Sequence, residues 1–262
     1  MRAGDAVYKA HFDPVALSVG PFHLRWYGLM YIAGFASGWL LGRWRAKKPD
    51  SGWTTAQFDD MVTLAMIGII VGGRAGYVLF YDFSSFMAEP LEIFRIWRGG
   101  MSFHGGFLGV LAAIWYFARK SGKTFLNVSD FIAPLVPPGL FFGRLGNFIN
   151  GELWGKVSDV PWAVIFPGAG NMGRHPSQLY EALLEGLALF LIVWTYSAKP
   201  RKPGAVSGLF ALFYGVFRFA VEFVRLPDAH IGYLAFGWLT MGQLLCLPLI
   251  GIGLWLLLRP AH

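Results

Sequence analysis

A chain of 262 residues that is 55% hydrophobic, 17% aromatic and only 14% charged lies far from the composition of soluble domains and reads as a membrane protein. Its formal charge of +7 does not mark a nucleic-acid surface, because the Lys and Arg residues are scattered between apolar runs instead of gathered in one basic patch. The single cysteine, Cys246, excludes an internal disulfide, a cysteine metal cluster and a CxxC redox pair, and its place in the last apolar run reads as a packed thiol.

The opening stretch M-R-A-G-D-A-V-Y-K-A-H-F-D-P carries acidic residues and no apolar core, so no cleaved targeting peptide is expected. Apolar segments follow near 24–42, 60–81, 101–118, 127–146, 177–197, 205–224 and 233–258. They predict an all-α integral membrane protein with seven transmembrane helices, organised as one polytopic domain over 1–262. Arg43, Arg45, Lys47 and Lys48 follow the first run, Arg119, Lys120 and Lys123 the third, Lys199, Arg201 and Lys202 the fifth, and Arg259 the seventh. That is half of the 22 basic residues on one side, which by the positive-inside rule puts the N-terminus outside and the C-terminus in the cytoplasm.

This orientation decides which polar groups share a membrane face. Arg25, Trp26 and Tyr27 open the first run at the outer interface, where an aromatic belt accounts for them without chemistry. Arg74, within G-G-R-A-G-Y of the second run, needs a partner or a wet cavity and reads more readily as structural than as a lining residue. Residues 83–100 set Leu91, Phe94 and Trp97 beside Glu92, Arg95 and Arg98, the pattern of a short amphipathic helix lying on the membrane. His104 stands between two glycine pairs just inside the outer face, either as a satisfied structural imidazole or with space beside its ring for a ligand.

The prolines of A-P-L-V-P-P-G at 133–139 must kink or break the fourth helix before it delivers Arg144 and Asn147, one turn apart, to the outer side. There G-R-L-G-N-F-I-N-G-E-L-W-G at 143–155 puts an arginine, two asparagines and a glutamate among glycines at a hydrophobic boundary. It reads as a Gly-rich helix cap with Arg144 snorkelling, or as a place where a ligand closely approaches the backbone and meets a fixed fork of donors. Residues 150–176 form the longest hydrophilic stretch, expected as a small periplasmic head region with a short β-hairpin around Trp162–Phe166. Pro176 suits the first turn of the fifth helix, along whose outer half Gln178, Glu181 and Glu185 place polar groups.

In the sixth segment Tyr214, Arg218, Glu222 and Arg225 are spaced to lie within roughly 80° of one helix face, with Arg218 roughly 10 Å deeper than Arg225. A charge ladder locking helices together has this pattern. Two separate intramembrane arginines, Arg144 and Arg218, near one face point beyond it to a shared anionic ligand.

Together G-R-L-G-N-F-I-N-G-E-L-W-G, S-F-H-G-G at 102–106, R-H-P-S-Q-L-Y-E at 174–181 and Y-G-V-F-R-F-A-V-E-F-V-R-L-P-D at 214–228 resemble the bacterial phosphatidylglycerol–prolipoprotein diacylglyceryl transferase family. The resemblance runs from about Asp13 to Gly253, with no departure at the motif positions. It implies transfer of the sn-1,2-diacylglyceryl group from phosphatidylglycerol to the lipobox cysteine of a preprolipoprotein, forming a thioether and releasing glycerol phosphate. It also implies a monomeric inner-membrane protein, without metal or cofactor, whose active site faces the periplasm. Carried over by position, Arg144 and Arg218 hold the lipid phosphate, and Asn147, Glu152 and Gly155 belong to the signature around it. His104 and Tyr214 fall on catalytic positions, and Tyr27, Glu222 and Arg225 on further lipid-binding ones.

Guanidinium forks in a water-poor site suit charge growing on a departing phosphate, and His104 is a candidate base for a substrate thiol of pKa about 8.5. In a competing view the arginines alone activate the thiol and His104 only positions groups. Intramembrane Arg, Glu and His also mark ion paths, so a transporter or proton relay is the alternative, although no repeat between halves is visible. An intramembrane serine protease is disfavoured: Ala36–Ser37–Gly38 lacks a preceding glycine at the expected spacing and a clearly paired histidine.

Overall fold

The computed structural model describes residues 8–227 and 232–260, so Asp228 of the fourth motif and the first seven residues of the N-terminal stretch lie outside the described residues. In chain order the elements are β1 (Tyr8–Lys9), β2 (Val15–Val19), β3 (Phe22–Arg25), α1 (Trp26–Ala46), α2 (Thr55–Tyr81), α3 (Phe83–Ala88), α4 (Phe103–Ser121), α5 (Phe125–Ile132) and α6 (Pro137–Ile149). They continue through β4 (Val164–Ile165), α7 (Ser177–Glu181), a π-helical segment (Ala182–Ala188), α8 (Leu189–Tyr196), α9 (Ala205–Val221) and α10 (Met241–Leu258). The chain is mostly helical. Among the described residues three helical stretches, α2, Ser177–Tyr196 and α10, are long and apolar enough to cross a membrane, and a fourth results if Phe125–Leu135 and α6, bent by 41°, count as one.

Large apolar side chains lie exposed along these helices, among them Ile67, Ile70, Val71 and Phe80 of α2 and Leu244, Leu247, Ile252 and Trp255 of α10. Water would penalise each such face by about 25 cal/mol per Å², whereas lipid does not, and this is an integral membrane protein.

The chain divides into two compact units, one of residues up to Leu40 and from Asp130 onward, the other of Leu41–Ser129. In the second unit α2 and α4 pack along a glycine seam. A Cβ on Gly109 would lie 1.9 Å from the Gly68 carbonyl oxygen, and one on Gly105 would lie 2.2 Å from that of Gly72. Backbones this close are the product of small residues at four-residue spacing, the means by which helices associate where lipid removes the hydrophobic drive. Thr54 starts α2 with a capping box, its hydroxyl accepting from Gln57 N at 3.1 Å while the Gln57 side chain accepts from Thr54 N at 3.2 Å.

Arg74 has a structural task there. Its guanidinium donates to the carbonyls of Ile93 (3.0 Å), Gly99 (2.8 Å), Gly100 (3.2 Å) and Glu92, pinning the segment that follows α3. Within that loop the short amphipathic helix expected around Leu91–Arg98 is not one helix. Pro90 and the glycines at 99 and 100 break residues 83–100 into α3 and two 3-10 turns, Pro90–Phe94 and Ile96–Arg98, and the Arg98 side chain lies outside what is described.

In the first unit the hairpin lies before α1, where β2 pairs antiparallel with β3. In the head region β4 instead pairs in parallel with β1, and isolated antiparallel bridges join Val157 and Val164 to Arg174. Phe166 is fully buried there between Phe148 and Trp154. Cys246 is buried and free, as a packed thiol should be, and lies along the close contact of α9 with α10, where a Cβ on Gly215 would meet its carbonyl at 3.3 Å. Asp130 caps α9, accepting from Gly204 N (2.7 Å), Ser207 N (2.8 Å) and the Ser207 hydroxyl (2.7 Å).

The glycine seam gives a direct test. Gly109→Ala puts a methyl group into the Gly68 backbone and is expected to cost about 1–3 kcal/mol, lowering the thermal midpoint of the detergent-purified protein. Gly251→Ala, whose added Cβ meets nothing within 4 Å, leaves that midpoint unchanged or slightly raised.

Candidate active site

The polar centre of the first unit is assembled by α6, α7 with its π-helical continuation, and the end of α9. Close packing brings them together: a Cβ on Gly186 would lie 2.6 Å from that of Phe141, so α6 meets the π segment with no side chain between them. One turn on from this contact α6 carries Arg144 to Glu181, with Nη2 2.7 Å from Oε2. Arg218 of α9 donates to the same oxygen at 2.8 Å, and Arg225 donates to Oε1 at 3.0 Å. Glu181, with no exposed surface, thus pairs with three guanidinium groups, each of which keeps a little surface of its own.

Two further carboxylates complete the charge. Glu222 accepts from Arg218 at 2.5 Å and from the Thr240 hydroxyl at 2.7 Å, with Arg225 Nε 3.6 Å away. It lies at the N-terminus of α10, a position that favours an anion. Gly242 makes the approach possible, since a Cβ there would sit 2.7 Å from the carboxyl carbon. Glu185, also without exposed surface, is 3.9 Å from Arg144 and 3.8 Å from Arg218. Three guanidinium groups and three carboxyl groups offset one another, which is how so many ionisable groups are tolerated in so little water. Beside them Arg218, Glu222, Arg225, Thr240 and Gly242 line a cavity of about 40 Å³, room for a water molecule but not for a lipid headgroup.

The ladder expected on one helical face runs past the end of the helix. Helix α9 ends at Val221, residues 222–224 form a turn, and Arg225 enters a β-bridge with Gly155. Arg225 N still bonds to the Val221 carbonyl at 3.1 Å, and the side chains of Arg218 and Arg225 reach the two oxygens of one carboxylate.

The signature loop is fastened to this centre. Asn147 donates to Glu152 Oε1 at 2.8 Å, and Asn150 reaches the same oxygen at 3.4 Å. Gln178 donates to the Glu152 carbonyl at 2.5 Å and Ser177 to that of Leu153 at 3.0 Å, latching the loop to the first turn of α7. Gly155 is obligatory for space: a Cβ would lie 2.6 Å from the Val224 carbonyl and 2.7 Å from that of His175. Gly151 and Leu153 adopt left-handed backbone, which turns the chain out of α6. Trp162 donates to the Tyr180 hydroxyl at 2.6 Å, leaving that hydroxyl to donate to His175 Nδ1 at 3.1 Å. Burial first, and then the Lys156 charge, push the His175 imidazole below its ordinary range, consistent with a neutral ring accepting at Nδ1.

Tyr27 shares a hydroxyl hydrogen bond with Tyr31 at 2.9 Å and packs on α6, where a Cβ at Gly146 would meet its ring at 3.2 Å. Tyr214 stacks on Phe210 at 5.9 Å, one turn before Arg218. His104 belongs to the second unit, on an exposed face of α4, its ring edge-on to Phe103 at 5.7 Å. The first unit thus assembles Arg144, Arg218, Glu222 and Arg225, with Asn147 and Tyr214 on the same helices, Glu152 and Gly155 in the loop after α6, and Tyr27 on α1. The residues that sequence reasoning left unassigned are Glu181 and Glu185, visible only as polar positions along the fifth helix, and Thr240. A signal was present: carboxylates four apart in an otherwise apolar run need cations, and the unpaired arginines needed anions.

Removing the charge at the centre tests this assembly. Glu181→Gln leaves three guanidinium groups short of a partner and is expected to cost about 3–5 kcal/mol, read as a lower thermal midpoint in detergent. Glu152→Gln, whose replacement can still accept from Asn147, lowers the midpoint far less.

A model of the prolipoprotein diacylglyceryl transferase family matches residues 14–259. The phosphatidylglycerol–prolipoprotein diacylglyceryl transferase of Solidesulfovibrio magneticus is 68% identical over 252 residues, covering 95% of either chain. The protein of that name in Nitratidesulfovibrio vulgaris (strain Miyazaki F) is 64% identical over 94% of this chain and 93% of its own. That of Pseudomonas aeruginosa (strain UCBPP-PA14) is 59% identical over 92% of this chain and 91% of its own. Similarity of this extent over most of the chain settles kinship: the chain belongs to the prolipoprotein diacylglyceryl transferase family.

Proposed function

We propose that this protein transfers the sn-1,2-diacylglyceryl group of phosphatidylglycerol to the lipobox cysteine thiol of a preprolipoprotein signal peptide, the first step of bacterial lipoprotein maturation. The observation that carries the reading is the convergence of Arg144, Arg218 and Arg225 at one point inside a member of this family. In the reaction the substrate sulfur forms a bond to the glycerol carbon as the carbon–oxygen bond to phosphate breaks. The electron pair leaves with glycerol phosphate, and the thiol proton passes to a base or to water.

Arg144 and Arg218 hold the phosphate and stabilise the charge that grows on it as it leaves. The nucleophile comes with the peptide, so no cysteine of the enzyme is needed. Asn147, Glu152 and Gly155 keep the head loop over the arginines, while Tyr27, Tyr214, Glu222 and Arg225 shape and balance the lipid site. His104 is the proposed base, or a positioning group if the arginines alone activate the thiol. No cofactor is required by this chemistry.

The setting follows from the charges. The chain is a single polytopic domain in the bacterial inner membrane, with a head insertion at about 150–176, working as a monomer. Its seven spans run from a periplasmic N-terminus to a cytoplasmic C-terminus, with the active site toward the periplasm. Support comes from the basic residues after alternate apolar runs and from the lengths of α1, α4 and α9, at 21, 19 and 17 residues, which at about 1.5 Å per residue approach or reach the thickness of a bilayer core. Family membership leaves the transporter or proton-relay alternative without an observation in its favour.

Mass spectrometry of a lipobox peptide incubated with phosphatidylglycerol and the purified protein is expected to show a gain of one diacylglyceryl unit on cysteine. Arg144→Lys and Arg218→Lys each lower that rate by about 10²–10³, because a point charge cannot reproduce a bidentate fork. Near-normal transfer by both variants refutes the clamp. For His104, the His104→Asn protein is expected to be slower at neutral pH and to approach the wild-type rate toward the thiol pKa of about 8.5, whereas an unchanged profile removes His104 as base.

A further inference from the structure

Glu185 is the member of the charged centre to which the transfer chemistry gives no task. It sits in the π-helical segment Ala182–Ala188, with no exposed surface, and neither carboxylate oxygen accepts a protein hydrogen bond. The nearest donors are committed elsewhere. Arg144 Nη2 lies 2.7 Å from Glu181 but 3.9 Å from Glu185, and Arg218 Nη1 lies 2.8 Å from Glu181 but 3.8 Å from Glu185. Glu185 therefore stands second in line for the same two guanidinium atoms. Segments with i→i+5 bonding recur at functional sites, and this one, pressed on Phe141 through Gly186, fixes where the carboxylate points.

A charge count shows what such a group can do. With Glu181, Glu185 and Glu222 ionised, the three arginines are already neutralised, and a phosphodiester would add one uncompensated negative charge to a buried site. Two anions facing the same guanidinium groups repel strongly at low dielectric. One proton on Glu185 removes the excess without disturbing the Glu181 bridge that holds the helices together. The groups in electrostatic reach of Glu185 are Arg144 from α6, Arg218 and Tyr214 from α9, Arg225 beyond α9, Cys246 from α10 and Glu181 on its own helix. Among them Glu185 is the carboxylate that gives up no hydrogen bond by becoming neutral.

We propose that Glu185 is a charge-compensating positioning residue of the lipid site, taking one proton from solvent as a phosphodiester anion engages Arg144 and Arg218. The proposal rests on the phosphate-clamp reading given above. It makes lipid affinity depend on pH with a definite sign: binding strengthens as pH falls and weakens by up to about tenfold per unit where the free protein holds Glu185 ionised.

The test is calorimetric titration of dioctanoyl phosphatidylglycerol into the detergent-purified full chain, in two buffers of different ionisation enthalpy between about pH 7 and 9. The expected result is uptake of up to about one proton per lipid by the wild type, and none by Glu185→Gln, whose affinity changes less than twofold over the same range. Binding without proton uptake by the wild type overturns the proposal, as does undiminished uptake by Glu185→Gln. If that variant does not fold, the wild-type proton count decides alone. Lipid binding unaffected by Arg144→Lys and Arg218→Lys refutes the clamp and this inference with it, a result distinct from a clamp that holds while no proton is taken up.

Discussion

A carboxylate with no surface of its own, Glu181, is what the first unit is arranged around. It pairs with arginines on α6, on α9 and on the turn after α9, each 37 to 44 residues from it in sequence. Burying any one of these charges alone would cost several kcal/mol, so each is tolerable only because the others are present. Stability and chemistry therefore share the same atoms. The forks that hold three helical elements in register are also those proposed to face an anionic leaving group.

Glycines bring the surrounding elements close to those forks. Gly155 lets strand-like backbone pair against the turn after α9, Gly242 lets Glu222 rest at the start of α10, and Gly186 lets α6 meet the π segment directly. Each removes a Cβ where it would otherwise hold two elements apart. The signature loop satisfies its own polar groups through Asn147, Glu152, Ser177 and Gln178, leaving the arginines to the carboxylates.

Much of this was legible in the sequence, for identifiable reasons. Long apolar runs and the spacing of Arg144 and Asn147 report local periodicity, which sequence carries directly. The prolines at 134, 137 and 138 announced a break, and a 41° bend is there. What local pattern could not carry was the end of α9. Nothing in V-E-F-V-R separates a helix from a turn, and the pairing of Arg225 with Glu181 and Gly155 depends on residues distant in sequence. The same holds for the head hairpin, where the strand partner of Val164–Ile165 comes from Tyr8–Lys9, more than 150 residues earlier. Glu181 went unassigned because its importance lies in three partners distant in sequence, whereas its immediate neighbours are ordinary apolar helix.

The cap that Asp130 makes on α9 bears on how the site can open. At one end of that helix Asp130 holds Gly204 and Ser207, and at the other Glu181 holds Arg218 and Arg225. Mechanically α9 is a beam clamped at both ends. A ratchet of one turn along its axis, about 5.4 Å, would break both clamps together. The compliance that admits a lipid and a peptide must then be found in rotation about that axis or in the elements lying against it, with α9 as the fixed wall they move past.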